Sequence, residues 1–201
     1  VPRCPKVCAY ILLSHRTPRS AQTIRMDARA KPSICDLIVL FFLLSAMGYL
    51  AETMLFFLHF HALCERGFLS LPLLPIYGSS ALLVYCLFGL PARGAKGFAL
   101  YAAKAGLSVS AVEYAAGRAV HLLFGVRLWD YSYQPLHLGG YVSLGQTALW
   151  GVLCALFFRF AFVPLCDAVR TIPRSLRPSI AIALSAGAAA DFLLRLFTGF
   201  V

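Results

Sequence analysis

From residue 34 to about residue 60 the only charged side chains are Asp36 and Glu52, set in a run of Leu, Ile, Val, Phe and Met. A stretch of that length and polarity leaves few folds open. About 20 apolar residues cross roughly 30 Å of hydrocarbon as a helix, and inside lipid only helices and closed barrels satisfy their own backbone groups. Four more apolar stretches follow, at residues 73–90, 97–124, 141–163 and 179–201, separated by short polar segments or by proline and glycine. The runs are continuous, so helices are expected: an all-α, polytopic transmembrane helix bundle of about five spans. The last stretch, with its run from Ala186 to Ala190, is the weakest of the five by hydropathy and could pack inside the bundle instead. Composition agrees, since 60% of the 201 residues are hydrophobic and only 13% are charged, unlike an ordinary soluble domain.

The net charge of +10 would suit a nucleic-acid partner, but its placement argues against one. Arg3, Lys6, Arg16, Arg19, Arg25, Arg29 and Lys31 precede the first span; Arg93 and Lys96 lie in the second connection; Arg170, Arg174 and Arg177 lie in the fourth. The first and third connections hold only Arg66 and Arg127. Basic residues gather on the cytoplasmic side of membrane proteins, which puts the N-terminus in the cytoplasm and the C-terminus outside. Two parts are expected: a basic cytoplasmic arm over residues 1–33 and a transmembrane domain over residues 34–201. Val7 to Leu13 is too short an apolar run to span. Met26 stands before a short basic lead into the first span, so translation is expected to begin there, with residues 1–25 an upstream extension or a disordered tail. The seven cysteines form no readable disulfide framework.

Ionisable groups inside a span are costly and usually face the bundle interior. Phe41, Ser45, Gly48 and Glu52 share one face of the first helix, and Gly106, Ser110, Glu113 and Gly117 share one face of the third. Small residues with a single carboxylate are the composition of close helix contacts that share a polar group. With both helices running outward, Glu52 and Glu113 fall in the outer half of the membrane and are expected at similar depth. Arg118, one turn beyond Glu113, and Arg66 and Arg127 in the outer connections are candidate cationic partners. Without such a cation, two carboxylates brought together would hold a proton between them. Asp191 and Arg195, at i and i+4 with the acid first, are expected to neutralise one another.

Two outer segments stand out. Residues 66–78, RGFLSLPLLPIYG, place Pro72 and Pro75 where a helix begins and Gly78 where one packs closely. Residues 124–151 carry Trp129 and Tyr131, suited to the interfacial belt, with Asp130 and Ser132 between and beside them, and Gly139-Gly140 for a tight turn. Gly48 through Glu52, Arg66-Gly67-Phe68-Leu69 with Pro75-Ile76-Tyr77-Gly78, Glu113-Tyr114, Trp129-Asp130-Tyr131-Ser132 and Trp150-Gly151, in that order, resemble the bacterial membrane proteins called "Putative ABC-transporter type IV", the CmpB-like family. The resemblance covers roughly residues 45–151. It implies a multi-pass protein of the bacterial cytoplasmic (inner) membrane with a transport-related role.

No G-x-x-x-x-G-K-[ST] phosphate loop is present, so an ABC function calls for a separate ATPase subunit. His59, His61 and Cys64 lack an adjacent fourth ligand, and no metal or cofactor is expected. No G-x-S-x-G elbow appears. The leading reading is a transport-related membrane subunit with an outward-facing polar cluster of Glu52, Arg66, Tyr77, Glu113, Tyr114, Arg118, Trp129, Asp130 and Tyr131, in contact with membrane lipid. The alternatives are a membrane-embedded enzyme using the same carboxylates on a lipid or cell-envelope substrate, and a non-catalytic scaffold.

Overall fold

The computed structural model describes residues 32–62 and 67–198. The basic arm, the expected start at Met26, and Cys64, Glu65 and Arg66 lie outside the described residues. Among the described residues the fold is all-α, with six helices and one hairpin of two-residue strands: α1 Ile34–Phe60, α2 Pro75–Phe88, α3 Ala95–Phe124, β1 His137–Leu138, β2 Val142–Ser143, α4 Leu144–Phe160, α5 Phe162–Arg170 and α6 Arg177–Thr198.

Local chemistry sets most of these limits. Ser33 and Asp36 form a reciprocal capping box at the start of α1: the Asp36 N–H donates to Ser33 Oγ at 3.2 Å and the Ser33 N–H to Asp36 Oδ2 at 2.9 Å. Pro75 opens α2 in the first turn, where a missing N–H costs nothing. Gly125 ends α3 in the left-handed region, with its N–H donated to the His121 carbonyl at 2.9 Å. The turn expected at Gly139-Gly140 joins β1 and β2, both glycines with positive φ, and aligns His137 with Ser143 and Leu138 with Val142. Ser143 then caps α4 by accepting the Gln146 N–H.

Two helices, α1 and α6, are long and apolar enough to cross a membrane, and α4 with α5 makes a third candidate if the pair, bent by 50°, counts as one span. The five spans expected from hydropathy are therefore shown only in part, for two reasons. Pro75 and Gly89 trim α2 to 14 residues, about 21 Å of helix. At 30 residues α3 is long enough, about 45 Å, but carries Lys104, Glu113 and Arg118 along its length.

The core gathers where α1 to α4 meet. Leu40, Val84, Ala105, Ala155 and Phe158 are almost fully buried, and the Tyr85, Phe158 and Phe162 rings pack on one another. The outer surface is apolar almost everywhere: Leu55, Leu107, Leu123, Phe160, Ile182 and Leu194 are all exposed. A surface of that kind is covered by lipid or protein rather than water.

Candidate functional site

The face of α1 read from the sequence packs on α2. A side chain at Gly78 would collide with the Phe41 carbonyl and with Ser45 Oγ, and one at Gly48 would collide with the Tyr77 ring. Ser45 satisfies the crowded backbone on both sides: its hydroxyl donates to the Phe41 carbonyl at 2.7 Å, and its carbonyl accepts the Leu74 N–H at 3.0 Å. This contact presses Tyr77 along α1, where its hydroxyl donates to Glu52 Oε1 at 2.8 Å.

The corresponding face of α3 packs on α4. Gly106 lies against the Thr147 carbonyl and Gly151, and Gly151 against the Ala102 carbonyl, so the two backbones touch with no side chain between them. Ser110 and Thr147 share a hydrogen bond of 2.6 Å one turn further along. At the next turn the Trp150 indole N–H donates to Glu113 Oε1 at 2.8 Å. Glu113 is only 6% exposed, and its second oxygen, Oε2, has no hydrogen-bond partner among the described residues. A buried carboxylate oxygen left in this way is costly, and such atoms call for an explanation.

The two faces join through aromatic rings. Tyr77 and Trp150 meet edge to face with centroids 5.8 Å apart, so Glu52, Tyr77, Trp150 and Glu113 form one continuous chain across α1, α2, α4 and α3. Tyr131, from the segment between α3 and α4, is half-buried close enough to feel both carboxylates, and burial raises the pKa of its hydroxyl. Its backbone N–H is fixed to the Gly140 carbonyl at 2.8 Å.

Other sequence candidates lie elsewhere. Arg118 does not pair with Glu113. Five residues advance a helix by 500°, which carries Arg118 about 140° around α3 from the carboxylate, and its guanidinium sits over the Tyr141 ring at 5.9 Å. Tyr114 faces the same ring edge to face. Trp129 is a structural brace: its indole N–H donates to the Tyr141 carbonyl at 2.9 Å, and its ring lies over Gly117. Asp130 is exposed and folds onto its own loop. The Ser132 N–H donates to it at 2.8 Å and holds its carboxyl below the ordinary aspartate range, with Arg127 3.6 Å away. Arg66 lies outside the described residues. Trp150 and Tyr141 are absent from the sequence-derived cluster. Trp150 directly precedes Gly151 of the glycine contact, and that neighbourhood is the one signal of its place in the sequence.

Asp191 also has a partner that the i, i+4 spacing could not name. Its Oδ2 accepts the backbone N–H groups of Ser70 at 2.9 Å and Leu71 at 3.2 Å, in the proline-bearing segment before α2. Among the described residues no group of three or more His, Cys, Asp and Glu side chains is placed to hold a metal ion.

The sequence model of the family described as "Putative ABC-transporter type IV" matches residues 39–196. The chain belongs to this family. The match reaches beyond the quoted motifs into α5 and α6, and it contains the whole Glu52–Tyr77–Trp150–Glu113 chain. Comparisons with curated proteins and with solved structures give no match. Among the described residues, two to three helices long and apolar enough to cross a membrane accompany this family membership.

Proposed function

We propose that this chain is the membrane subunit of a transport system, with a polar site near the outer face built on Glu52, Tyr77, Trp150, Glu113 and Tyr131. The observation that carries the reading is the buried Glu113 carboxylate with one oxygen bonded to Trp150 and the other left open. A helix bundle needing only mechanical polar glue would satisfy both oxygens, whereas a site that takes up and releases a polar solute keeps acceptor capacity in reserve. On this reading the chain crosses a bacterial inner membrane five times, by α1, α2, α3, the bent α4–α5 pair and α6. The N-terminus is then cytoplasmic, and the uneven placement of lysine and arginine supports that orientation. Energy comes from a separate ATPase subunit, because this chain has no nucleotide loop.

Glu52→Gln and Glu113→Gln test the site after reconstitution in lipid nanodiscs. Variants that melt like the parent but no longer support transport by the natively purified complex support the reading. Variants that lose the fold leave the carboxylates as structural glue and sink it. Native purification supplies the second arm, since recovery without any ATPase would remove the transport assignment. Cysteines introduced at Ala92 and Tyr133 in a cysteine-free background test the topology, the expected result being labelling from opposite sides of the membrane.

A further inference from the structure

The Tyr141 ring, packed against Gly117 further along the face of α3 that carries Glu113, anchors a second constellation. Tyr141 is only 4% exposed. Its hydroxyl is hydrogen-bonded to His121 Nδ1, its carbonyl accepts the Trp129 indole, and its ring is wedged against Gly117. Two guanidinium groups lie over this fixed ring, Arg127 at 4.9 Å and Arg118 at 5.9 Å from its centre. Gly140 lets the hairpin close beneath them, because any side chain there would strike Asp130 Oδ1 and Arg127 Nη1.

The charges here cancel only in part. Asp130 forms a long ion pair with Arg127 at 3.6 Å, between side chains that are both well exposed, and it also accepts the Ser132 N–H. Arg118 forms no ion pair among the described residues. Two guanidiniums set against one carboxylate leave a net positive charge on a rigid base, with the planar fork geometry that suits phosphate oxygens. Their depth is also informative. Arg118 lies six residues before the end of α3, about 9 Å along the helix, in the same last turns as Leu122 and Leu123, which are 72% and 74% exposed. Arg127 lies beyond the end of the helix, and the long Arg118 side chain can snorkel from among acyl-facing leucines to the level of lipid headgroups.

We infer that Arg118 and Arg127, seated on Tyr141, form a phosphate-binding site at the membrane interface, whose ligand is the phosphate of an anionic lipid headgroup or the same group free in solution. The inference does not depend on the transport reading, because neither arginine touches the carboxylate chain.

The test uses the full chain in nanodiscs of equal phosphatidylglycerol and phosphatidylcholine, with retained lipid measured after detergent extraction. The parent should keep phosphatidylglycerol several-fold over phosphatidylcholine, and R118Q/R127Q should fall to parity while melting like the parent in phosphatidylcholine alone. R118K/R127K, which keeps the charge and loses the fork, should retain part of the enrichment and replaces the glutamine pair if that pair fails to fold. Inorganic phosphate is the second probe. If it raises the melting temperature of the parent and not of the arginine variants, with no lipid enriched, the site stands and its ligand is free phosphate. Equal enrichment and equal phosphate response in parent and folded variants would overturn the assignment.

Discussion

The seam between α3 and α4 and the seating of α6 solve the same problem in opposite ways. Along the seam, Gly106 and Gly151 remove the side chains between two backbones, and Ser110, Thr147, Glu113 and Trp150 add hydrogen bonds turn by turn. Attachment there is distributed along the helix. On α6, Ala181 is the only fully buried residue, and an apolar groove of about 460 Å³ opens between it and α1. Polar fastenings at its ends hold α6. At one end Arg177 donates to Asp36 Oδ1 at 3.0 Å and to the Ile172 and Arg170 carbonyls. At the other, Asp191 takes the Ser70 and Leu71 N–H groups. Small residues alone do not make a helix seam: α6 has its own Gly187 and alanine run, yet a side chain at Gly187 would meet nothing within 4 Å.

Arg177→Met should give the largest effect. The Arg177 and Asp36 side chains are only 12% and 6% exposed, and leaving one member of a buried pair unpaired costs on the order of 3–5 kcal/mol. Thermal unfolding in nanodiscs should show a marked drop in melting temperature, with protease cleavage appearing first around α6. Next comes Gly151→Leu, which drives a side chain into the Ala102 carbonyl and the α3 backbone. Overpacking against groups that cannot move costs about 3 kcal/mol, read as a lower melting temperature and weaker recovery of folded protein. Asp191→Ala removes two exposed charge-assisted bonds and should cost about 1 kcal/mol, with faster amide exchange at Ser70 and Leu71 as its signature. Gly187→Leu should be the smallest, within about 0.5 kcal/mol. A Gly187→Leu penalty as large as that of Gly151→Leu would erase the contrast between the two regions.

The helices were largely legible because membrane helices carry their own backbone bonds and advertise their apolar length. The limits of α1 follow from Ser33 and the end of the apolar run, and those of α3 from Gly125. The bend after Phe160 was not legible: the sequence runs apolar through residue 163, and only packing divides α4 from α5. The shared faces of α1 and α3 were readable from small residues at helical spacing, and each meets the neighbouring helix through its glycines. Their partners were not. The bond from Trp150 to Glu113 and that from Asp191 to Ser70 join residues far apart in sequence, and no local period encodes such a contact. Arg118 is a different case, since five residues on a helix turn a side chain away from its supposed partner, and spacing alone should have separated them.

Tyr77 enters the bundle from a segment whose backbone is tethered on two sides, to Ser45 of α1 through Leu74 and to Asp191 of α6 through Ser70 and Leu71. Mechanically, that segment is a strut between a helix of the core and a helix at the periphery. Its two anchors lie six and three residues before Tyr77, at Leu71 and Leu74, so the hydroxyl that grips Glu52 hangs from a backbone fixed to both helices.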